Sequence, residues 1–517
     1  MPDEQWKVLK SGSDIRGTAS GNAEQIDLTN EMVKKISIAF AVWISNSNNI
    51  KYPSMTIAVG NDCRISSKRI KTCVINSLTS VGVKIYDCSL TSTPAMFMAV
   101  SSLTCTASIQ ITASHHPAQK NGFKFFTAKG ILSSEDISEI INIAQSGVFP
   151  HIAKEIGKVK PINMMNYYST KIKNVILNFN ENEHKDKPLS GLKIVVDAGN
   201  GVGGFFVNDI LNNLGADTSG SIFLEPDGNF PNHLPNPEDP IAVTELSKAV
   251  VDSGADIGII FDTDVDRVSF VDSKGHIINK NKLIAFVSSI ILDKNPEATI
   301  VTDSVTSDNL SEYIKKLGGT HFRYKRGYRN VIEYAKKLNE SGIDCPLAIE
   351  SSGHVALREN NFVDDGAYLA AKIITTLMKM KEKGISIEKI TDGFIDAKEQ
   401  IEIRININNS KVITSGRKVL MHLKDFSKEI KSCSLENSPE GVRLKFRARW
   451  QEGWCILRQS IHDPTLVLNI ESYVNNGAIS ILNSLIPFFK KFQFINIDEI
   501  NEQVNKLKNS NAISVGV

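Results

Sequence analysis

Short apolar runs alternate with segments in which apolar residues recur every three to four positions, and this alternation predicts an α/β fold. The apolar runs are typical of buried strands, and the helical spacing is typical of amphipathic helices. Repeated strand–helix–strand units build sheets whose strand ends carry ligand sites. The pattern is carried by segments 56–60, 67–81, 83–87, 192–197, 202–214, 255–261, 299–303 and 309–317.

The pattern changes towards the end of the chain. Segments 400–408 and 443–449 alternate in the manner of antiparallel strands with one exposed face, and segment 477–489 has helical spacing. We therefore predict three similar α/β domains with mixed sheets, plus a smaller α+β C-terminal domain, around a central cleft. The expected domain limits are 1–155, 156–275, 276–398 and 399–517.

Composition narrows the class of protein without naming a chemistry. A chain of 517 residues predicts several domains, and 59 basic against 57 acidic residues give a net charge of +2. This balance gives no sign of a nucleic-acid or acidic-membrane surface, and no run approaches the roughly 20 apolar residues of a membrane helix. The seven cysteines are odd in number and form no Cys-x-x-Cys pair. Together with a start that does not look like a leader, they predict a cytoplasmic protein. The expected assembly is a monomer or a homodimer.

One turn-rich segment brings together a hydroxyl, imidazoles and an ammonium. Residues 111–117 read Ile-Thr-Ala-Ser-His-His-Pro, and Lys124 follows in the same stretch. A serine becomes a nucleophile only when a base or a charged group activates it, so Ser114 is a candidate for the reacting group. An ordinary surface turn is the alternative, because these residue types are common in loops.

Three carboxylates at alternate positions follow the apolar run that ends at residue 261. They are Asp262, Asp264 and Asp266, and Arg267 comes next. Carboxylates that converge in a tight loop suit a hard cation such as Mg²⁺ or Ca²⁺. A helix–loop–helix calcium site requires Gly and Glu where this chain has Arg267 and Ser273. Mg²⁺ with coordination positions open to phosphate therefore fits better, and a solvated acidic turn is the remaining alternative.

Two further loops carry groups suited to a phosphorylated sugar. Glu350 and Ser352 lie just before His354, and a carboxylate beside a hydroxyl hydrogen-bonds well with sugar hydroxyls. Arg458 and Ser460 lie in a turn near the end of the chain, and an arginine with a hydroxyl and backbone amides can bind phosphate. Each signal alone is weak, since an arginine in a hairpin is usually a solvated charge.

Taken in order, the four loops resemble the signature loops of the α-D-phosphohexomutase family, which includes phosphoglucomutases and phosphomannomutases. The family loops read roughly Thr-Ala-Ser-His-Asn-Pro, Asp-x-Asp-x-Asp-Arg, Glu-x-Ser-Gly-His and Arg-x-Ser-(Gly/Asn)-Thr-Glu-Pro. The resemblance spans nearly the whole chain. Further matching segments are 14–17, 60–64, 93–94, 196–201 and 227–233.

The resemblance implies an isomerase that interconverts hexose 1-phosphate and hexose 6-phosphate through a phosphoserine and a 1,6-bisphosphate intermediate. It implies Mg²⁺ as cofactor, glucose 1,6-bisphosphate as activator and intermediate, and glucose or mannose phosphates as substrates. The implied roles are Ser114 as phosphoryl carrier and metal ligand, Asp262, Asp264 and Asp266 as metal ligands, Lys124 and His115 in proton transfer, Arg16 and Arg267 at the transferring phosphate, Glu350, Ser352 and His354 at the sugar, and Arg458 and Ser460 at its other phosphate.

Two loops depart from the family pattern. His116 replaces the usual Asn, and Ile461, His462 and Asp463 stand where the family commonly has Gly or Asn, Thr and Glu. Losing Gly or Asn restricts positive-φ backbone. One alternative is therefore a catalytically weakened sugar-phosphate binder or regulator of the same fold, and another is a metal-dependent phosphatase. A serine hydrolase is disfavoured, because Ser114 lacks the Gly-x-Ser-x-Gly turn.

Overall fold

In the computed structural model the described residues are Trp6, 8–178, 186–409, 411–460 and 465–514. By packing, the chain divides into two compact units, residues 1–290 with 346–392 and residues 291–345 with 393–517. The strands are β1 Lys10–Ser11, β2 Asp14–Thr18, β3 Thr56–Asn61, β4 Lys84–Leu90, β5 Ala107–Ile111, β6 Lys120–Thr127, β7 Gly130–Ile131, β8 Val159–Pro161, β9 Ile194–Asp197, β10 Ile257–Phe261, β11 Val268–Asp272, β12 Ile277–Ile278, β13 Thr299–Thr302, β14 Thr320–Arg323, β15 Leu347–Ile349, β16 Val355–Leu357, β17 Glu399–Asn406, β18 Cys433–Glu436, β19 Val442–Phe446, β20 Gly453–Gln459 and β21 Thr465–Ser472.

The α-helices flank these strands along the chain. They are α1 Asn30–Asn48, α2 Ser67–Ser80, α3 Thr93–Ser102, α4 Ser134–Ser146, α5 Met164–Leu177, α6 Pro240–Ser253, α7 Lys280–Lys294, α8 Asp308–Lys316, α9 Tyr328–Glu340, α10 Gly366–Glu382, α11 Val412–Phe426, α12 Gly477–Phe489 and α13 Asp498–Ser514. Among the described residues no helix is both long enough and apolar enough to cross a bilayer.

The first unit begins with an eight-stranded mixed sheet. Its path is β1-β2-β6-β5-β3-β4-β8, and β7 pairs with β6. Strand β3 is parallel to β4 and β5, whereas β5 and β6 are antiparallel. Every residue of β5 is buried, and its two polar side chains are hydrogen-bonded, since Ser108 Oγ donates to Met96 O at 2.6 Å and Gln110 Nε2 donates to Thr91 O at 2.8 Å. The loop between β5 and β6 contains Ser114, so this core holds the candidate nucleophile at a strand end.

The next sheet of the first unit has the order β12-β11-β10-β9, and the loop between β10 and β11 contains the three aspartates. Strands β9 and β10 are parallel, and β11 is antiparallel to β10. The regular helix predicted over 202–214 is instead a 3-10 turn, Val202–Gly204, followed by a π-helix, Phe206–Leu211. The backbone at Gly204 is too close to a neighbour for a side chain, since a Cβ there would lie 2.2 Å from Leu224 O.

The third α/β region contributes to both units. Strands β13 and β14 form a parallel pair in the second unit, and β15 and β16 form an antiparallel hairpin in the first. The second unit also contains an antiparallel sheet with the order β17-β21-β20-β19-β18, whose apolar face packs against α11 and α12. The predicted class of three α/β domains with a smaller α+β C-terminal domain is confirmed. The numbered domain limits remain a prediction.

Candidate active site

Three loops of the first unit, each at a strand end, turn on a residue with left-handed backbone. The residues are Ser114, with φ 51°, Val265, with φ 65°, and Gly353, with φ 90°. Glycine adopts this conformation readily, but a β-branched residue rarely does. Such residues cost on the order of 1–3 kcal/mol each and persist only where the surroundings hold them. Packing and hydrogen bonds therefore impose these turns on the chain.

Ser114 is buried, and its side-chain oxygen is surrounded by ionisable groups. Its Oγ donates to Asp262 Oδ2 at 2.7 Å and lies 3.4 Å from Nδ1 of His115. Arg267 donates from Nη2 to the same Oγ at 3.4 Å. The loop is braced locally, because Ser114 N donates to Thr112 Oγ1 at 2.9 Å. Ser114 thus has a carboxylate, an imidazole and a guanidinium within reach of one oxygen.

The three aspartates of the β10–β11 loop are buried together and form a cation-binding geometry. Each of Asp262, Asp264 and Asp266 offers a carboxylate oxygen, and these oxygens lie within 4.8 Å of one another. Asp264 Oδ1 and Asp266 Oδ1 are buried and accept no hydrogen bond from the described residues. Buried carboxylate oxygens without donors are costly, so they fit a hard cation such as Mg²⁺.

Two buried cations accompany the aspartates. Lys124 Nζ donates to Asp264 Oδ2 at 3.2 Å and also to Asp266 Oδ2, and Arg267 Nε donates to Asp262 Oδ2 at 3.2 Å. Burial and the neighbouring Asp266 raise the pKa of Asp262 well above its ordinary value. Two cations do not balance three ionised carboxylates, so a divalent cation bound there would reduce the remaining repulsion among them.

Both histidines of the predicted site are held neutral near pH 7. Burial, with Arg267 and Arg16 nearby, lowers the pKa of His115 well below its usual range. Burial also lowers the pKa of His354 to about 4, although Asp266 opposes this. Nδ1 of His354 pairs with Asp364 Oδ2, so the carboxylate orients the ring. Neutral imidazoles can accept protons, which is the property that acid–base work requires.

The remaining first-unit residues lie at the same loops. Arg16 donates from Nη2 to Asp14 Oδ2 at 2.7 Å and is close enough to His115 to affect its pKa. Ser352 Oγ donates to Glu350 Oε2 at 3.3 Å, beside His354. The backbones of Arg267 and His354 form a β-bridge, which joins the β10–β11 loop to the turn between β15 and β16. The structure therefore brings together every predicted site residue of this unit.

The predicted phosphate residues lie in the second unit. Arg458 is the penultimate residue of strand β20 with 5% of its surface exposed, and its buried Nε has no hydrogen-bond partner among the described residues. Burial, together with the nearby Arg326, lowers its pKa from the usual value. Ser460 N donates to Thr465 O at 2.9 Å. The departures predicted at 461, 462 and 463 lie outside the described residues.

The structure adds a buried arginine that the sequence reasoning left without a role. All five N–H donors of Arg64 are used, by Nε to Asp62 Oδ2 at 3.1 Å, by Nη1 to two carbonyls and by Nη2 to two more. The four carbonyls belong to Ser114, His116, Pro117 and Lys120. One side chain therefore spans residues 114–120, which we call the serine loop.

Asp62 and Thr93 were also left without a role. Asp62 accepts from Thr112 Oγ1 at 2.8 Å, and Thr93 donates from Oγ1 to Asp264. The only signal in the sequence was that these residues fall in the short matching segments 60–64 and 93–94.

Comparisons with known proteins agree with this geometry. Family models described as phosphoglucomutase/phosphomannomutase alpha/beta/alpha domains I, II and III match residues 7–150, 166–275 and 279–395. The chain is 28% identical over 450 residues to a phosphomannomutase/phosphoglucomutase of Pseudomonas putida, covering 86% of this chain and 90% of that one.

Two solved structures show the same fold. A phosphoglucomutase/phosphomannomutase family protein from Burkholderia thailandensis matches with a TM-score of 0.75 and 24% identity, covering 94% of this chain and 97% of that one. An N-acetylphosphoglucosamine mutase from Aspergillus fumigatus, solved with GlcNAc-6P and magnesium, matches with a TM-score of 0.53 and 12% identity, covering 93% and 96%. On the three matching domain models and the loops they contain, the chain belongs to the α-D-phosphohexomutase family, that of the phosphoglucomutases and phosphomannomutases.

Proposed function

We propose that this chain is a hexose phosphate mutase in which Ser114 carries the phosphoryl group between the two sugar positions. The observation that carries the proposal is the buried Ser114 Oγ, 2.7 Å from Asp262 in a cluster whose other aspartates present oxygens without donors. Mg²⁺ is the cation that suits this donor set, and it would neutralise charge on the transferring phosphoryl group. Asp262, Asp264 and Asp266 would hold it.

The chain's own groups account for the remaining steps. The phosphoryl group of phosphorylated Ser114 passes to the free hydroxyl of a hexose monophosphate, and the hydroxyl proton must go to a base. His354 and His115, both held neutral, are the expected acceptors of this proton, and Lys124, which contacts the carboxylates of Asp264 and Asp266, is a further expected participant. The 1,6-bisphosphate then turns around, and Ser114 takes back the other phosphoryl group.

Binding roles follow from the same arrangement. Arg267, which already points Nη2 at Ser114 Oγ, would stabilise charge on the moving phosphoryl group, with Arg16 beside it. Glu350 and Ser352 would hydrogen-bond the ring hydroxyls. In the second unit, Arg458 and Ser460 would bind the phosphate that does not react.

The substrate expected is a glucose or mannose phosphate, and glucose 1,6-bisphosphate is the expected activator. The names of the relatives support a hexose phosphate substrate. The predicted compartment is still the cytoplasm, and the predicted assembly is a monomer or a homodimer.

The test is conversion of glucose 1-phosphate and mannose 1-phosphate to the 6-phosphates, with Mg²⁺ and a trace of glucose 1,6-bisphosphate. We expect turnover by the wild type and none by Ser114→Ala, together with phosphate covalently bound to Ser114 by intact mass and peptide mapping. Release of inorganic phosphate instead of isomer would indicate a phosphatase. Binding without turnover would indicate a sugar-phosphate binder, and wild-type rates in Ser114→Ala would refute the proposed carrier.

A further inference from the structure

One matching segment of the sequence, residues 227–233, contains no residue with a proposed chemical role. It packs against Arg64, the side chain that donates to the carbonyls of the Ser114 loop. We call it the retaining loop. It lies between strand β9 and helix α6 in the first unit. Two hydrogen bonds fix it to Asn200, since Asp227 N donates to Asn200 O at 2.8 Å and Asn232 Nδ2 donates to Asn200 Oδ1 at 2.8 Å. These bonds give the segment a defined position, so its contacts can position the residues that it packs against.

The retaining loop touches the backbone and side chain of Arg64. A Cβ added at Gly228 would lie 2.5 Å from both Cys63 O and Ile65 N. The backbone of the retaining loop therefore contacts the backbone of the chain on either side of Arg64. The Phe230 ring centroid lies 5.2 Å from the Arg64 guanidinium carbon, within the range of a cation–π contact. Phe230 is buried and has left-handed backbone, with φ 50°. The chain therefore accepts an unfavourable conformation that lets this ring face Arg64.

The loop ends at a histidine whose two ring nitrogens both face acceptors. Nε2 of His233 is 2.9 Å from Asp197 Oδ2, and Nδ1 is 2.9 Å from Leu234 O. Only a doubly protonated imidazole donates to both. Asp197 is fully buried and also accepts from Gly199 N at 2.7 Å, so the charged ring and its partner tie the loop to the end of β9.

We propose that the retaining loop positions Arg64 and, through it, the Ser114 loop, with Phe230 and His233 as positioning residues. The connection is continuous, because Arg64 donates to the carbonyls of Ser114 and His116. Asp227 and Cys63 strengthen it at Asn200, whose carbonyl also accepts from Cys63 Sγ at 3.2 Å. The kinetic part of this inference rests on the proposed mutase function, whereas its structural part can be measured without substrate.

The first test replaces the ring and keeps the bulk. In Phe230→Leu the cation–π contact is lost, and we expect amide hydrogen exchange of residues 114–120 to quicken about fivefold, with kcat falling by a similar factor and KM unchanged. Phe426→Leu is the matched control, because Phe426 also faces a cation, Lys491, with 4.5 Å from Nζ to the ring centroid. The control should leave the exchange of residues 114–120 at the wild-type rate.

The second test uses the charge on His233. The titratable groups that face its ring are Asp197 on β9 and Asp239 at the start of α6, and these contacts raise its pKa although burial opposes the charge. Wild-type kcat should therefore exceed that of His233→Gln below the raised pKa, and the ratio of the two should fall towards one as the imidazole loses its proton. His276→Gln, which removes another histidine paired with an aspartate, should give a ratio that is constant with pH.

The outcomes separate this inference from the proposed function. If the wild type turns over and both Phe230→Leu and His233→Gln leave the loop's exchange, kcat and pH profile unchanged, the inference is wrong and the function stands. If the wild type shows no mutase activity but exchange in residues 114–120 quickens in Phe230→Leu, the function is wrong and the positioning role stands. A uniform rise in exchange across the first unit would show a purely structural loss and would overturn the inference.

Discussion

Replacing Arg64 with lysine should loosen the serine loop by an amount that can be worked out from its contacts. The guanidinium uses five N–H donors on five acceptors, one on Asp62 and four on backbone carbonyls of residues 114–120. A lysine ammonium has three donors, so at least two of these bonds are lost. At about 1.5 kcal/mol for each hydrogen bond to a charged group, the loop loses roughly 3 kcal/mol.

Amide hydrogen exchange measures this loss locally, which matters because a multidomain chain has no single unfolding free energy. Within the loop, His116 N donates to Ala113 O at 3.2 Å and Lys120 N donates to Pro117 O at 3.0 Å, so both amides are protected in the closed loop. A change of roughly 3 kcal/mol corresponds to exchange about 100-fold faster at these amides. We expect kcat to fall by at least tenfold, because Ser114 Oγ is no longer held against Asp262.

Arg69→Lys is the matched control for Arg64→Lys. Arg69 lies in helix α2 and also donates to carbonyls, those of Ala19 and Leu28, and among the described residues no hydrogen bond joins its side chain to residues 114–120. Its replacement should leave exchange at residues 114–120 and kcat near the wild-type values. Wild-type exchange and turnover in Arg64→Lys would show that the four carbonyl bonds do not hold the loop, and the reasoning would fail.

Three further changes test other parts of the molecule. Asp264→Asn removes a charge from the cation cluster, and Mg²⁺ binding followed by calorimetry should weaken at least tenfold while the melting curve without metal stays close to wild type. Arg458→Lys should raise KM for hexose 1-phosphate about 10- to 100-fold with a much smaller change in kcat, because it removes a fork-shaped donor from the non-reacting phosphate. Asp308 is partly buried, which opposes its charge, but Arg443 and Arg323 lower its pKa to about 2. The ionised carboxylate therefore stabilises the fold at pH values above its unfolded pKa of roughly 4, and this stability is lost as the pH falls towards 2. Asp308→Asn should lower the free energy of unfolding by roughly 2 kcal/mol near pH 7 and by almost nothing near pH 2. Chemical denaturation, followed at the unfolding transition of the second unit, measures the difference.

The sequence indicated the loops that come together at the candidate site but not the side chains that hold those loops in place. Ser114 and the three aspartates lie in short contiguous patterns whose residue types are unusual together, so their chemistry is visible one loop at a time. Arg64 bonds almost entirely to backbone carbonyls 50 or more positions away, and carbonyls carry no residue-type signal. Phe230 is similar, because its partner is chosen by the fold and a phenylalanine after Gly-Asn reads as an ordinary turn.

Secondary-structure elements that pack through their side chains were predicted well. The helix Gly477–Phe489 was predicted with its limits because its apolar face packs on one sheet and the periodicity is regular. The predicted helix over 202–214 has helical apolar spacing, but the backbone of Gly204 near its start lies against Leu224 O, and periodicity does not record close approach of backbone to backbone. Sequence pattern therefore predicts elements that pack through side chains and fails where backbone packs on backbone.

Arg64 and Arg267 both donate to Ser114, but the structure gives them different tasks. Arg64 has every donor committed to protein acceptors, so it cannot bind a phosphoryl group, and its charge instead fixes the loop backbone. Arg267 directs Nη2 at Ser114 Oγ over 3.4 Å and reaches Glu238 only at 3.9 Å, which leaves its fork loosely engaged on the side where phosphate would sit. Arg64→Lys should therefore loosen the loop, whereas Arg267→Lys should leave exchange at residues 114–120 near wild type and lower kcat, because lysine keeps the charge but lacks the fork of donors that would face the transferring group.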